Sequence, residues 1–442
     1  MLGLVSIRIY CLIMTAQAVG RNKMTYDFTT LGAIAGLVIA IILIIKKVHP
    51  AYSLILGALI GGLIGGGGLT TTVSTMVSGA SGMMSSILRI LTSGILAGAL
   101  IKTGSAEKIA ETIVNKLGEK KAIIAVSIAT MIICAVGVFI DISVITVAPI
   151  ALAIGKRAGL SKSGILLAMI GGGKAGNIIS PNPNTIAASE AFGVDLTSLM
   201  MKNIIPAICA LVVTVLLASL LSRKSDGCAY EESIESDKKE LPSFIQAILG
   251  PVVVIVLLAL RPICGISIDP LIALPVGGLV SILVTGKIKD TISITEFGLS
   301  KVVGVSILLI GTGTLAGIIK ASALQGDMIA AMEVLNLPTF ILAPVSGILM
   351  AAATASTTSG ATIASQTFAA TLTEAGVPAL SAAAMIHAGA TVIDSLPHGS
   401  FFHATGGSVF MDIKSRMKLI PYEALVGLTS TVVSVVIYLI AG

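Results

Sequence analysis

Long apolar segments separated by short polar links follow one another along most of the chain. Residues 28–45 and 204–221 are two such segments, and others recur at similar spacing up to residue 440. About 20 apolar residues in a helix span the roughly 30 Å hydrocarbon core of a bilayer. The pattern therefore predicts an all-α polytopic membrane protein.

Composition supports this class and excludes others. The 442 residues have a mean hydropathy of +1.02, with 55% hydrophobic and 11% charged residues, far more apolar than a soluble core requires. The net charge of +6 comes from Lys and Arg between apolar segments, so it indicates membrane topology and not a nucleic-acid partner. The five cysteines show no CxxC spacing, and we expect no metal and no cofactor.

Two segments share a skeleton that breaks in the middle of a bilayer-length helix. Residues 168–170 and 384–386 both read Ala-Met-Ile, and at the same later position each segment reaches a proline, Pro181 or Pro397. Unwound backbone at membrane depth is tolerated only where it lines a cavity or packs in protein. A duplicated break of this kind indicates a transporter's binding site.

A second match at nearly the same offset indicates that the whole chain is duplicated. Residues 96–98 and 315–317 both read Leu-Ala-Gly, and a lysine, Lys102 or Lys320, follows each. The charged stretch 223–243 divides the halves. The predicted organisation is an N-terminal extension or leader at 1–27, repeat 1 at 28–222, a cytoplasmic central loop at 223–243 and repeat 2 at 244–442.

Each half can be divided into the same series of segments. Two spanning helices and a third come first, then a short amphipathic segment, then two apolar runs that we interpret as a re-entrant hairpin. A broken helix and a closing helix complete the unit. Apart from the broken helices, the segments are 28–45, 51–69, 86–101, 105–121, 122–140 with 142–155 and 204–221 in the first half, and 245–260, 270–285, 302–320, 322–337, 339–354 with 361–373 and 422–440 in the second.

The two halves are predicted to have inverted topology. A hairpin returns to the side from which it entered, so each unit has about five spanning helices, an odd number of crossings. Most of the 28 lysines and arginines then fall on one face, which makes that face cytoplasmic. The amphipathic segment is basic in the first half, whereas residues 321–411 contain no Lys or Arg, a difference that a parallel duplication does not predict.

Four interrupted segments are expected to meet near the membrane midplane: two hairpin tips and two broken helices. Helix N-termini at such breaks offer free N–H groups and about half a positive charge, so the cavity should prefer an anion. Hydroxyl and amide side chains there can bind a carboxylate or hydroxyls, although an isolated Ser or Thr more often bonds back to its own helix. The predicted substrate-binding residues are Asp141, Ser143, Lys174, Asn177, Asn182, Asn184, Thr185, Ser356, Thr357, Thr358, Ser359, Ser395 and Ser400.

Lys174 is the one cation predicted near the bilayer centre, where charges are costly and usually functional. Its ammonium suits either a substrate carboxylate or a salt bridge to Asp141 or Asp394. The alternative is that Lys174 reaches the interface from a shorter helix.

Three of the four histidines lie near one acid in the second half. Asp394, His387 and His398 are the predicted residues for ion or proton coupling, because the protonation of such groups responds to small changes in hydration. Substrate binding and hydrogen-bonded packing are the alternatives. The spacing of His387, His398 and His403 matches no common zinc pattern.

These segments carry a family resemblance. Residues 171–196 read GGGKAGNIISPNPNTIAASEAFGVDL, residues 354–365 read TASTTSGATIAS and residues 387–402 read HAGATVIDSLPHGSFF. Over residues 28–442 the chain resembles the gluconate permease family of the ion transporter superfamily. The resemblance implies a secondary active transporter of small hydroxylated carboxylates, usually coupled to protons, that forms a homodimer with scaffold and transport subdomains.

The sequence therefore predicts a proton-coupled symporter, not an enzyme, in the bacterial inner membrane, with alternating access for a small hydroxylated carboxylate such as gluconate. The segment 181–184 departs from the more proline-rich run of that family, which leaves glycerate and a hydroxybutyrate as alternatives. A sodium-coupled dicarboxylate carrier and a cation/proton antiporter of the same superfamily are the rival transporters. An intramembrane hydrolase using Asp141 and Asp394 is disfavoured, because no nucleophile motif is present.

Overall fold

The structure, a computed structural model, describes residues 26–222, 240–266, 268–334, 338–397 and 399–441. These residues form α-helices and short 3-10 turns, with one isolated parallel bridge between Phe28 and Ser322 and no strand. The predicted all-α class is confirmed. The leader at 1–27, except for its last two residues, and most of the central loop at 223–243 lie outside the described residues, as does His398.

The described part of the first half contains eleven helices. They are α1 (Thr30–Ile45), α2 (Pro50–Ile64), α3 (Gly68–Ser81), α4 (Met84–Lys102), α5 (Ser105–Leu117), α6 (Ala122–Ala135), α7 (Ile140–Arg157), α8 (Lys162–Asn177), α9 (Pro183–Phe192), α10 (Leu196–Lys202) and α11 (Ile204–Ser222).

Ten helices follow in the described part of the second half. They are α12 (Phe244–Cys264), α13 (Pro270–Val284), α14 (Thr291–Lys320), α15 (Leu324–Val334), α16 (Leu342–Thr354), α17 (Thr357–Glu374), α18 (Ala379–Gly389), α19 (Ser400–Ser408), α20 (Ile413–Met417) and α21 (Ile420–Ala441). Helices α6 with α7 and α16 with α17 occupy the predicted hairpins, and α8 with α9 and α18 with α19 are the two broken helices.

Four helical stretches of the described chain are long and apolar enough to cross a membrane. They are Met84–Lys102, Ile204–Ser222, Ile288–Lys320 and Ile413–Ala441. Six shorter apolar helices accompany them, α1 and α2 among them. The predicted count of about five spanning helices in each half therefore depends on these shorter helices also crossing the membrane.

Helix α3 is not predicted by the apolar pattern, because its sequence is rich in Thr, Ser and Gly. Its hydroxyls bond back to carbonyls of the preceding turn: Thr72 Oγ1 donates to Gly68 O over 2.6 Å, and Ser81 Oγ donates to Val77 O over 2.9 Å. Such bonds let a polar sequence pack as a helix. Helix α14 also begins earlier than predicted, at Thr291 rather than residue 302, and packs along both α3 and α4.

Glycines set the close approach of α14 to these two helices. A Cβ on Gly298 would collide with the backbone of Gly94 in α4, and a Cβ on Gly313 would collide with the backbone of Gly79 in α3. Close backbone contact through small residues is how membrane helices gain packing energy without a hydrophobic driving force. Helices α2, α3, α4 and α14 form one packed group.

The two halves contact each other reciprocally. The second segment of the first broken helix, α9, packs on α17 of the second hairpin, and α19 packs on α7 of the first hairpin. The closing helices α11 and α21 also pack together. Both hairpins and both breaks are thereby held around one centre.

Candidate functional site

A cavity of about 260 Å³ lies where the two hairpin tips and the two broken helices meet the start of α2 and one side of α14. Five helix starts contribute to its wall, those of α2, α7, α9, α17 and α19. The lining residues are His49, Pro50, Phe139, Ile140, Asp141, Ile142, Asn177, Asn184, Lys301, Gly304, Val305, Leu308, Ala355, Ser356, Thr357, Thr358, Ser359, Ser400 and Phe401.

The break between α8 and α9 is held by three asparagines. Asn182 caps α9: its side-chain oxygen accepts from the backbone N–H groups of Asn184 and Thr185, over 3.0 and 3.2 Å. Asn177 Oδ1 accepts from the side-chain amides of Asn182 at 2.6 Å and Asn184 at 3.0 Å. Proline at the first position of α9, Pro183, suits this start, because that N–H would have no helical partner.

Two amide atoms of this network have no hydrogen-bond partner. They are Nδ2 of Asn177 and Oδ1 of Asn184, whose side chains are 2% and 3% exposed and line the cavity. A buried polar atom without a partner is costly. One donor and one acceptor on cavity-lining residues are therefore left without a partner within the protein.

The second hairpin tip contributes four hydroxyl residues. Ala355 adopts the left-handed conformation, with φ of 47°, and ends α16, while Ser356 begins α17 by accepting from the N–H of Ser359 over 3.2 Å. A left-handed alanine is strained, so the sharp reversal is imposed by the surrounding packing. Residues 356–359 all line the cavity.

Lys174 lies outside the cavity wall in a buried ion pair. Its Nζ donates to Asp394 Oδ1 at 2.6 Å and to the carbonyl oxygens of Thr391 at 2.5 Å and Glu423 at 3.4 Å. Both side chains of the pair are 2% exposed. Of the predictions for Lys174, these contacts favour the salt bridge to Asp394 over contact with substrate, because all three ammonium protons have acceptors.

Asp394 is fully engaged as well. Thr357 Oγ1 donates to Asp394 Oδ2 at 2.5 Å, and Ser395 Oγ donates to Asp394 Oδ1 at 3.1 Å. Thr357 also lines the cavity, so one hydroxyl connects the second hairpin tip to the Lys174–Asp394 pair. The pair joins α8 of the first half to the break of the second.

The two described histidines of this cluster, His387 and His403, have different environments. His387 in α18 is completely buried and neither ring nitrogen has a hydrogen-bond partner, whereas His403 Nε2 is 2.8 Å from the carbonyl oxygen of Pro397. The described residues hold no group of three metal-ligating side chains. The proton-coupling role of His387 stays a prediction.

The predicted substrate residues divide into three groups: the cavity wall, the residues behind it and the ion-pair network. Those in the cavity wall are Asp141, Asn177, Asn184, Ser356, Thr357, Thr358, Ser359 and Ser400. The others support it from behind: Asn182 caps α9, Thr185 Oγ1 donates to Ser180 O over 2.6 Å, and Ser143 is fully buried. Lys174 and Ser395 belong to the ion-pair network, as described above.

Sequence reasoning missed the wall contributed by α2 and α14. His49 and Pro50 form a cap and first-turn proline, which is a recognisable helix start, but nothing in the sequence places that start at the cavity. The sequence pattern places Lys301 among the charges of the cytoplasmic face and does not indicate that it lines a cavity. Gly304 borders open space, with no atom within 4 Å of the position its Cβ would take.

The comparisons with known proteins agree with this architecture. A family model described as GntP family permease matches residues 28–441. The chain belongs to this family. The permease is 56% identical over 410 residues to an uncharacterized transporter of Haemophilus influenzae, covering 93% of this chain and 98% of that protein. It is 27% identical over 247 residues to a gluconate permease of Pseudomonas aeruginosa, covering 53% of this chain and 55% of that protein.

A solved structure shows the same fold. The YdaH transporter of Alcanivorax borkumensis matches the permease with a TM-score of 0.64 at 16% identity, covering 84% of this chain and 88% of that chain. At that identity the likeness concerns the fold alone. The predicted family is confirmed, and the permease is a membrane transport protein and not an enzyme.

Proposed function

We propose that the permease is a proton-coupled symporter for a small hydroxylated carboxylate such as gluconate, in the bacterial inner membrane. The observation that carries this proposal is the pair of unpartnered amide atoms on Asn177 and Asn184, which line the cavity together with the hydroxyl residues 356–359 and Ser400. A polyhydroxy acid presents matching donors and acceptors. A site built to hydrogen-bond hydroxyls rejects ligands that lack them, because its buried polar groups would stay unpaired.

The electrostatics of the cavity support an anionic substrate. The helix starts at Ile140, Thr357 and Ser400 place partial positive charge at the wall, because the first N–H groups of a helix lack internal partners. The volume of about 260 Å³ lies just below the roughly 300–1,000 Å³ typical of drug-sized ligands. A small organic acid fits this combination.

Alternating access would move hairpins and broken helices against the group containing α2, α3, α4 and α14. The cavity is on the Lys102 side of α4, because Lys301 at its wall and Lys102 both contact the Phe297 ring. Arg89 lies 13 residues earlier in α4, about 20 Å along the helix axis. If the lysine-rich side is cytoplasmic, this cavity lies on the inner side, and a separate cavity of about 330 Å³ is lined by Arg89, Glu190 and Asp269.

Proton coupling is assigned to Asp394, with His387 as a second group and His398 outside the described residues. Protonation of Asp394 would remove its charge, release the ammonium of Lys174 and change its bond with Thr357 at the cavity wall. Removing one partner of a buried ion pair typically costs about 3–5 kcal/mol. That energy is large enough to link protonation to a change of conformation.

Uptake into proteoliposomes tests the assignment. An inward-directed acid gradient should accelerate uptake of labelled gluconate by the wild type, and Asp394→Asn should lose this acceleration while retaining gradient-independent exchange of gluconate. The double variant Lys174→Met/Asp394→Asn controls for folding, because it leaves no unpaired buried charge.

Other outcomes point to the rival transporters. Uptake driven by sodium and indifferent to pH contradicts proton coupling and favours a sodium-coupled carrier. Ion exchange without binding of any hydroxy acid favours an antiporter. The inverted relation of the halves and the homodimer belong to the same proposal, and labelling of Lys116→Cys and Asp327→Cys from opposite sides of the membrane would support inversion.

A further inference from the structure

One side chain in the cavity wall carries a fixed positive charge: Lys301 of α14. The other ionisable groups among the described lining residues are Asp141 at the first hairpin tip and His49 before α2. A lysine ammonium is charged at neutral pH and forms short charge-assisted bonds with carboxylates. The charge of Lys301 therefore attracts an anion to the α14 side of the cavity.

The ammonium of Lys301 forms no ion pair within 4 Å with a carboxylate of the described chain, although it interacts electrostatically with Asp141 at the first hairpin tip. Its Nζ lies 4.8 Å from the centroid of the Phe297 ring, and the Nζ of Lys102 lies 4.5 Å from the same centroid. Two ammonium groups at one ring repel each other, and an exposed contact of this kind is weak. Lys301 is thus free to bind an anion, whereas the ammonium of Lys174 is fully engaged.

The remaining wall groups fix the direction in which an acid would lie. Asp141 lies on the first hairpin tip and interacts electrostatically with Lys301, so an ionised Asp141 offsets the attraction of the α7 helix start for a substrate carboxylate. The free amide atoms of Asn177 and Asn184 match hydroxyl groups. A hydroxy acid satisfies all three with its carboxylate towards α14 and its hydroxyls towards the breaks.

We propose that Lys301 is the residue that binds the substrate carboxylate and so selects acids over uncharged polyols. This inference rests on the proposed function. It places the charge-selecting group on α14 and the hydroxyl-selecting groups on the hairpins and broken helices. Lys301 contacts substrate only while α14 and the broken helices enclose the cavity together. It therefore selects acids over uncharged polyols in the conformation whose cavity is on the Lys102 side of α4.

A pair of lysine variants tests the proposal. Lys301→Gln and Lys102→Gln are matched, since both ammonium groups contact Phe297 but only Lys301 lines the cavity. Binding of gluconate, glycerate and 3-hydroxybutyrate, each beside its uncharged amide, is measured by calorimetry on detergent-purified protein. Lys301→Gln should weaken binding of the acids by about tenfold to hundredfold, as expected for loss of a charged hydrogen-bond partner.

Three further results define the outcome. The amides should bind Lys301→Gln and the wild type equally, Lys102→Gln should bind acids like the wild type, and Lys301→Arg should regain part of the lost affinity. Equal loss for acids and amides, or wild-type affinity in Lys301→Gln, overturns the role of Lys301 and leaves the proposed function standing. A wild type that binds none of the acids overturns both.

Discussion

At the scale of single residues, the three asparagines of the first break have different tasks although they lie close together in sequence. Asn182 uses its side-chain oxygen on the N–H groups of Asn184 and Thr185, so its contribution is to the start of α9. Asn184 donates one bond to Asn177 and keeps its oxygen free at the cavity. The sequence marks Asn182 as a cap candidate, since Pro183 follows it, but it does not show which of Asn177 and Asn184 keeps an unpartnered atom.

This separation predicts opposite results for two alanine variants. Asn182→Ala should lower the stability of the purified protein by about 1 kcal/mol, the usual cost of losing a side-chain cap. Asn184→Ala should change stability less and weaken gluconate binding more, because Asn184 lines the cavity and its Oδ1 has no partner in the protein. Thermal unfolding and calorimetric binding of gluconate to the same preparations measure both effects, and identical behaviour of the two variants contradicts the assignment.

At the scale of elements, the cavity is defined by where helices begin. Helices α7, α9, α17 and α19 start at the two hairpin tips and the two breaks. Each start leaves backbone N–H groups without helical partners, so the elements themselves supply the anion-attracting character. Helix α14 closes the cavity on its remaining side with Lys301, Gly304, Val305 and Leu308.

Gly304 offers a direct test of whether this cavity carries the substrate. It lines the cavity, and a Cβ there would meet no atom within 4 Å. Gly304→Leu should therefore fold normally and reduce gluconate uptake at least about tenfold by filling the binding volume. Gly407→Leu in α19 is the matched control, because Gly407 also borders open space but is not a lining residue. Unchanged uptake by Gly304→Leu would place the transport pathway elsewhere.

At the scale of the whole molecule, three charged side chains from α4, α9 and the turn before α13 meet far from the cavity. Arg89 of α4 donates to Asp269, which precedes α13, with Nε at 2.9 Å and Nη2 at 2.6 Å, and also pairs with Glu190 of α9. These groups are only partly exposed. The pair with Glu190 connects a broken helix to α4, whereas the pair with Asp269 stays between α4 and the approach to α13.

If the broken helices move against α4, Glu190→Gln should favour opening near Arg89, because it removes an ion pair between α9 and α4. Asp269→Asn should not favour this opening, because its pair does not involve a broken helix. Labelling of Ser189→Cys by a membrane-impermeant thiol reagent measures this opening, because Ser189 is buried in the described state. We expect labelling to accelerate about twofold to fivefold with Glu190→Gln, the effect of losing a part-exposed ion pair. Equal rates in both variants contradict a role for this pair in closure.

The labelling experiment should be done at neutral pH, where the carboxyl of Asp269 is ionised. The hydrogen bonds from Arg89 hold the pKa of the Asp269 carboxyl below its ordinary value. A group whose pKa is lowered by folding stabilises the folded state above its unfolded pKa, and this contribution is lost as the pH falls through the folded value. At neutral pH the Arg89–Asp269 pair is therefore intact, and the Asp269→Asn control compares a charged with an uncharged side chain.

Several parts of the fold were predictable because they depend on local sequence. Segment 204–221 is observed as Ile204–Ser222 and segment 270–285 as Pro270–Val284, since long apolar helices bounded by polar or proline residues are fixed by hydropathy and capping. Both hairpins and both breaks also occur where the Gly, Ser, Asn and Pro pattern indicates them. Helix α3 was missed because its hydroxyls are satisfied by its own carbonyls and by packing on α14, which hydropathy does not report.

The sequence by itself determined the class of the protein, most of its long apolar helices and the two interrupted segments, because apolar length and helix-breaking residues act locally. Only the tertiary structure decided which polar side chains face the cavity. It paired Lys174 with Asp394, used Asn182 as a cap, left atoms of Asn177 and Asn184 free, and brought Lys301 to the wall. The physical reason is that a buried charge or amide takes whichever partner packing places within hydrogen-bond distance, and those partners are far apart in sequence.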